Sequence, residues 1–163
     1  MEPAPAKDLV EMTCVMIPLQ ETNLLLPNIC VAEILPWRRV GSVEDAPKWC
    51  LGMLEWRGEV IPVVRFERLD NTPVDDAEEG RCLIVMNRSR TVEGLPFYAL
   101  AAEGLPRIVQ LTAEDMSNVP TNLRVAETMA LRVGSEPAII PNLQYLEVQV
   151  AKLMQDQESA KQA

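Results

Sequence analysis

Proline placement is the strongest constraint on what this chain can fold into. Thirteen prolines are spread over its 163 residues, and Pro18, Pro27 and Pro36 cut the apolar first third into short pieces. Proline lacks the amide hydrogen and clashes with the preceding helical turn, so none of these pieces can be a long helix. Val10, Met12, Cys14 and Met16 alternate with Glu11 and Thr13, the period of two of a strand with one buried face. Leu24–Leu26, Ile29–Leu35, Val60–Phe66, Cys82–Met86, Phe97–Ala102, Pro106–Leu111, Met129–Val133 and Ala138–Ile140 are further short apolar segments. Pro62 predicts an edge or a strand end for its segment. About ten short strands with Pro and Gly turns favour small barrels over a flat sheet.

Two segments carry helical signals. Thr112-Ala113-Glu114-Asp115 has capping-box form and predicts a single short turn. Leu143, Leu146, Val150, Leu153 and Met154 follow helical spacing behind Asn142, a plausible N-cap, predicting a helix over 143–154 and a polar, fraying tail over 155–163. Residues 1–9 read as a flexible N-terminal arm. Between Asp70 and Gly80 there are five acidic residues and no basic one, which reads as a solvated connector over 70–80. A faint repeat spans it. Val31-x-x-Ile34-Leu35 returns as Leu105-x-x-Ile108-Val109, and Ile61-Pro62 returns as Ile140-Pro141. The expected organisation is therefore two β subdomains of similar plan, about 10–69 and 81–142.

Composition removes several function classes. There is no histidine, which excludes a Ser-His-Asp or Cys-His nucleophile, a His metal ligand and a phospho-accepting His. The net charge of −9 opposes nucleic-acid binding, which needs clustered Lys and Arg. Cys14, Cys30, Cys50 and Cys82 form no C-x-x-C pair and sit among apolar residues, so buried free thiols are expected rather than a zinc site or disulfides. No secretory leader is recognisable, and apolar runs such as Leu95–Ala102 are too short to span a bilayer, so a cytoplasmic protein without direct membrane insertion is expected. The run Asp75, Asp76, Glu78, Glu79 has the charge to attract a cation but reads as a solvated loop.

The stretch from Trp49 to Leu69 contains Gly52, Arg57, Gly58 and Ile61-Pro62-Val63-Val64, and resembles the signature of the CheW-like domain, the coupling protein of bacterial chemosensory arrays. Val31-Ala32-Glu33-Ile34 upstream is similar to the family's Val-x-Glu-Ile step. Glu103 to Val109, followed by Leu111-Thr112-Ala113-Glu114, is similar to its second-half strand and turn. The likeness runs from about Val10 to Met154. It implies an all-β fold of two SH3-like five-stranded barrels with a C-terminal helix and a hydrophobic groove between the barrels. It further implies an adaptor with no catalytic residues, cofactor or metal. The implied partners are a histidine kinase regulatory domain and the cytoplasmic domain of a methyl-accepting chemoreceptor. Carried over residue by residue, Val31, Glu33 and Gly52 fall on the kinase side, and Trp56, Arg57, Leu105 and Ile108 on the receptor side. Arg57 is also expected to order the Gly58 turn.

Two departures from the pattern stand out. Glu55-Trp56 occupies the usual Asn-Leu, and Arg65 the usual Asp; both are expected to alter charge at a contact surface, as in a member serving another pathway such as pilus-linked motility. Of the three tryptophans, Trp56 is the interface candidate, Trp49 is expected in the core and Trp37 lies near the signature. Met12 and Met16 are expected to fill core. The competing readings are an SH3-like interaction module unrelated to chemotaxis and, with no paired-carboxylate or G-x-S-x-G motif to support it, a small hydrolase.

Overall fold

A computed structural model describes residues 10–69, 80–88 and 95–162. The arm over 1–9 and the acidic run Asp75, Asp76, Glu78, Glu79 lie outside these residues. The strands are β1 (Met12–Pro18), β2 (Asn23–Pro27), β3 (Val31–Pro36), β4 (Cys50–Trp56), β5 (Glu59–Val64), β6 (Cys82–Met86), β7 (Tyr98–Ala102), β8 (Arg107–Leu111), β9 (Met116–Asn118), β10 (Glu127–Val133) and β11 (Glu136–Pro141). One helix, α1 (Leu143–Gln162), follows.

The strands form two curled sheets, ordered β8-β1-β2-β11-β10-β9 and β3-β6-β7-β5-β4. The sheets do not follow the expected split at 70–80. Of the strands within 10–69, β1 and β2 join the first sheet while β3, β4 and β5 join the second. The first sheet is thus built from both ends of the chain. Each sheet has two antiparallel pairs, then one parallel pair, then another antiparallel pair, and the first sheet adds a final antiparallel pair, β10–β9. This aligns β8 with β3, β1 with β6, β2 with β7, β11 with β5 and β10 with β4, a circularly permuted repeat. The faint sequence repeat obeys it, since Ile34 and Ile108 lie on the aligned edge strands β3 and β8. Ile61 and Ile140 lie on the aligned strands β5 and β11.

Both sheets curl shut by the same device. Beyond β3, Gly41 exchanges backbone hydrogen bonds of 2.9 and 2.8 Å with Met53 on the far edge strand β4. Beyond β8, a 3₁₀ turn at Ala113–Asp115 carries the chain into β9, which pairs with β10. The expected capping box makes that corner, with the Asp115 carboxylate accepting from the Thr112 backbone N–H at 2.8 Å and from its hydroxyl at 3.1 Å. At the first seam a Cβ on Gly52 would lie 2.3 Å from the Gly41 carbonyl oxygen, and Gly52 holds φ +147°. Only glycine fits there.

Apolar side chains form three layers. Leu35, Leu54, Trp56, Ile61, Val63, Leu83 and Val85 fill the β3–β7 barrel. Cys14, Met16, Leu25, Leu111, Leu131 and Ala138 fill the other. Between them Val15, Ile17, Leu24 and Leu26 pack on Ile84, Met86, Tyr98 and Leu100, and α1 adds Leu146 and Val150. Strands bordering this middle layer are buried on both faces, which is why β6 and β7 are unbroken apolar runs. It also corrects the reading of β1. Cys14 to Ile17 are all buried, so the strand has two buried faces, and alternation marks only its exposed start. Met16 fills core as expected, while Met12 is half exposed.

Other expectations are corrected locally. Pro62 is not at an edge, because β5 lies between β4 and β7. Its partner Met53 turns its own N–H and carbonyl toward Gly41, and the β7 ladder begins only at Val63, so nothing there calls for an amide hydrogen at position 62. Asn142 does cap α1, its side-chain oxygen accepting from the Tyr145 N–H at 3.1 Å. The helix runs on to Gln162, through the segment expected to fray from position 155.

Candidate protein-binding surfaces

The hairpin between β4 and β5 turns on two residues, Arg57 and Gly58, at φ +48° and +79°. Positive φ at both central positions matches the twist of the flanking strands, and Gly58 takes it without strain. Arg57 is the costly member, since a Cβ disfavours this region. Its side chain is two-thirds exposed, with its guanidinium 4.8 Å from the centre of the Trp56 ring and 3.5 Å from the Glu33 carboxylate. Trp56 donates its indole N–H to that carboxylate at 2.6 Å and meets Phe97 edge-on at 5.0 Å. Arg88 lies 4.3 Å over the other aromatic, Phe97. A carboxylate, two aromatics in edge contact and two cations therefore form one ordered patch at this end of the barrel.

This patch redraws the grouping expected from sequence. Glu33 stood on one partner's side and Trp56 and Arg57 on the other's, yet the three are in direct contact. Trp56 is 5 % exposed, so it is a core plug whose polar edge reaches Glu33, not an exposed anchor. Val31 and Glu33 part company at an irregularity in the β3–β6 register. Val31 packs on the middle layer while Glu33 reaches Trp56 in the barrel filling. Gly52 is buried at the seam, so it supports this end of the barrel through its backbone rather than lining a face. Trp49 and Trp37 are half-buried, against the middle layer and the β3–β7 filling respectively.

Leu105 and Ile108 lie apart from that patch. They are 76 % and 65 % exposed, in the bend before β8 and on β8 itself. Ile108 pairs in register with Val15, so the two share a face, and Val15 belongs to the middle layer. Ile108 thus extends the inter-barrel apolar layer to the surface. Such an unpaired strip along an edge strand is a ready docking surface.

Arg65 overturns its expectation most plainly. It has no exposed surface and lies at no contact face. Its guanidinium is 2.7 Å from the Glu103 carboxylate and 3.5 Å from that of Glu67. Glu103 donates its backbone N–H to Pro18 at the end of β1, and the Glu67 carboxylate accepts from the Gln20 N–H at 3.4 Å. Arg65 therefore ties the second sheet to the β1–β2 turn of the first. Glu67 is two residues away, but the closer partner, Glu103, stands 38 residues along the chain, and no spacing rule exposes it.

The remaining titratable groups show no reactive arrangement among the described residues. All four cysteines are free, and burial pushes each thiol upward from its ordinary range, with the Glu147 charge adding to this at Cys30. No group of three or more Cys, Asp or Glu could hold a metal ion among the described residues. Among the described residues no helix is long and apolar enough to cross a membrane.

Two permuted barrels fused through a common apolar layer, with exposed features on edge strands, define a protein-binding scaffold. The chain belongs to the CheW-like domain family, whose model matches residues 13–149. Members of that family are non-enzymatic scaffold or adaptor proteins. The chain superimposes on the scaffolding protein TtCheW from Thermoanaerobacter tengcongensis with a TM-score of 0.67 at 16% identity, covering 83% of this chain and 92% of that one. That likeness establishes the two-barrel fold. No curated protein sequence matches the chain significantly.

Proposed function

We propose that this protein is a cytoplasmic coupling adaptor of a bacterial chemosensory complex, holding a methyl-accepting chemoreceptor's cytoplasmic tip and a histidine kinase regulatory domain at the same time. The observation that carries the reading is the pair of aligned edge strands, one per barrel. β3 presents Glu33, paired with Arg57, and an exposed Ile34, while β8 presents an exposed Ile108, with Leu105 exposed in the segment before it. A duplicated barrel with two differently dressed edges suits an adaptor that must hold two partners at once. The charged, aromatic patch around Glu33, Trp56 and Arg57 fits the kinase domain, with charge steering approach and the apolar surface giving grip. The apolar strip of Leu105 and Ile108 fits the oily face of a receptor helix. Val31 and Gly52 act behind the first surface, by holding β3 and the barrel seam in shape.

Binding of a receptor cytoplasmic hairpin and of a kinase regulatory domain to single variants tests this. Glu33→Lys and Arg57→Ala should weaken the kinase domain by about tenfold or more and leave the receptor hairpin near its original affinity; Leu105→Asp and Ile108→Asp should do the reverse. Unchanged binding of both partners in variants that remain folded contradicts the assignment.

A further inference from the structure

Arg88 has no part in either docking surface proposed above, yet it is built like a docking residue. It stands just past β6, where Asn87 holds the chain against the segment leading into the edge strand β3. The Asn87 backbone N–H donates to the Cys30 carbonyl at 2.9 Å, and its side-chain amide donates to the Ile29 carbonyl at 2.7 Å. The Arg88 side chain is held by a ring. Its guanidinium lies 4.3 Å from the centre of Phe97, and Phe97 meets Trp56 edge-on at 5.0 Å. Arg57 lies 4.8 Å from the centre of Trp56. One aromatic pair thus carries a guanidinium on each member, and both arginines are exposed. They differ in what else they touch. Arg57 is paired with Glu33, whereas Arg88 forms no ion pair among the described residues. A ring against one face of a guanidinium leaves the N–H donors on its edge, and those donors match a carboxylate two at a time. The ring also restricts the side chain before any partner arrives, which lowers the cost of ordering it on binding.

We propose that Arg88 is a specificity-determining residue of the kinase-side surface and that it takes a carboxylate of the kinase regulatory domain. This rests on the adaptor reading and deepens it. The surface then reaches from Glu33 and Ile34 on β3 back to Ile29, which is 81 % exposed and lines the same cavity wall as Arg88. Ile29 supplies apolar contact beside the charge, the usual composition of a docking rim. Glu33 and Arg88 give the surface charges of both signs. A partner must therefore present the opposite signs in matching places, and one with a single sign of charge is rejected by like-charge contact.

The test is a titration of the full chain with a kinase regulatory domain and, separately, with a receptor cytoplasmic hairpin, each over a range of salt. Arg88→Glu should weaken the kinase domain about tenfold or more and leave the receptor hairpin within about twofold. Arg88→Ala should weaken the kinase domain and flatten the fall of its association rate with salt, which a purely structural role would not do. Arg88→Lys keeps the charge but not the planar fork, so it should restore the salt dependence without the full affinity. Arg88 is exposed, so each variant should still melt cooperatively. Two failures are distinguishable. If Arg57→Ala weakens the kinase domain while Arg88→Glu binds it at full strength, or if Arg88→Glu weakens both partners equally, the role of Arg88 is overturned and the adaptor reading stands. If the unaltered chain binds no kinase domain, both fall.

Discussion

At the scale of single residues, buried polar groups decide more than exposed ones. Arg65 is held between Glu67 and Glu103 with no exposed surface. Removing the cation strands two carboxylates, so Arg65→Met should cost about 3 kcal/mol in urea unfolding despite its similar volume; a loss below about 1 kcal/mol would show that the knot is not structural. The thiols make a second prediction. Burial raises all four, so between their ordinary and folded ranges the native chain binds more protons than the unfolded chain. Stability in reductant should therefore be flat below about pH 8 and fall as the pH rises beyond the ordinary thiol range, near 8.5, with Tyr98 adding to the fall above about pH 10. A urea midpoint that stays constant to pH 10.5 would contradict this. These residues were the least legible in the sequence. Arg65 reads as a surface substitution because its closer partner, Glu103, lies 38 residues along the chain. Trp56 looked like an exposed anchor because nothing local shows that Phe97 and Glu33 enclose it.

At the scale of elements, sequence and structure agree where local rules decide. The unbroken runs of β6 and β7, the Thr112–Asp115 corner and the Asn142 cap all form as expected. They part where neighbours decide. β1 is buried on both faces because another barrel covers it, and β9, only three residues long, has no periodicity of its own. The Arg57-Gly58 hairpin separates the two influences experimentally. Asparagine tolerates the left-handed conformation better than arginine does, and the exposed Arg57–Glu33 pair is worth little in stability. Arg57→Asn should therefore leave the unfolding free energy within about 0.5 kcal/mol while lowering affinity for the kinase domain as much as Arg57→Ala does. Full binding by Arg57→Asn would mean that the turn, and not the guanidinium, makes the contact.

At the scale of the whole molecule, the permuted repeat governs behaviour. The sequence carried the repeat faintly, in the Ile34/Ile108 and Ile61/Ile140 echoes, but not the exchange of strands between halves. Pairing partners far apart in sequence leave no local trace, so the acidic stretch reads as a boundary between two subdomains. Since β1 is flanked by β8 and β2, neither half can complete the first sheet alone. Residues 10–69 and 80–162, made as separate fragments, should each lack a cooperative thermal transition and regain one on mixing; an isolated half that melts cooperatively would refute the interleaved sheets. The same architecture places the two edges proposed for docking, β3 and β8, in one molecule, and simultaneous occupancy is the central claim of that proposal. Analytical ultracentrifugation of the protein with a receptor cytoplasmic hairpin and a kinase regulatory domain tests it most directly. A ternary species containing one copy of this chain, with each partner's affinity little changed by the other, is the expected result. Strict competition between the two partners, or binding of neither, would contradict it.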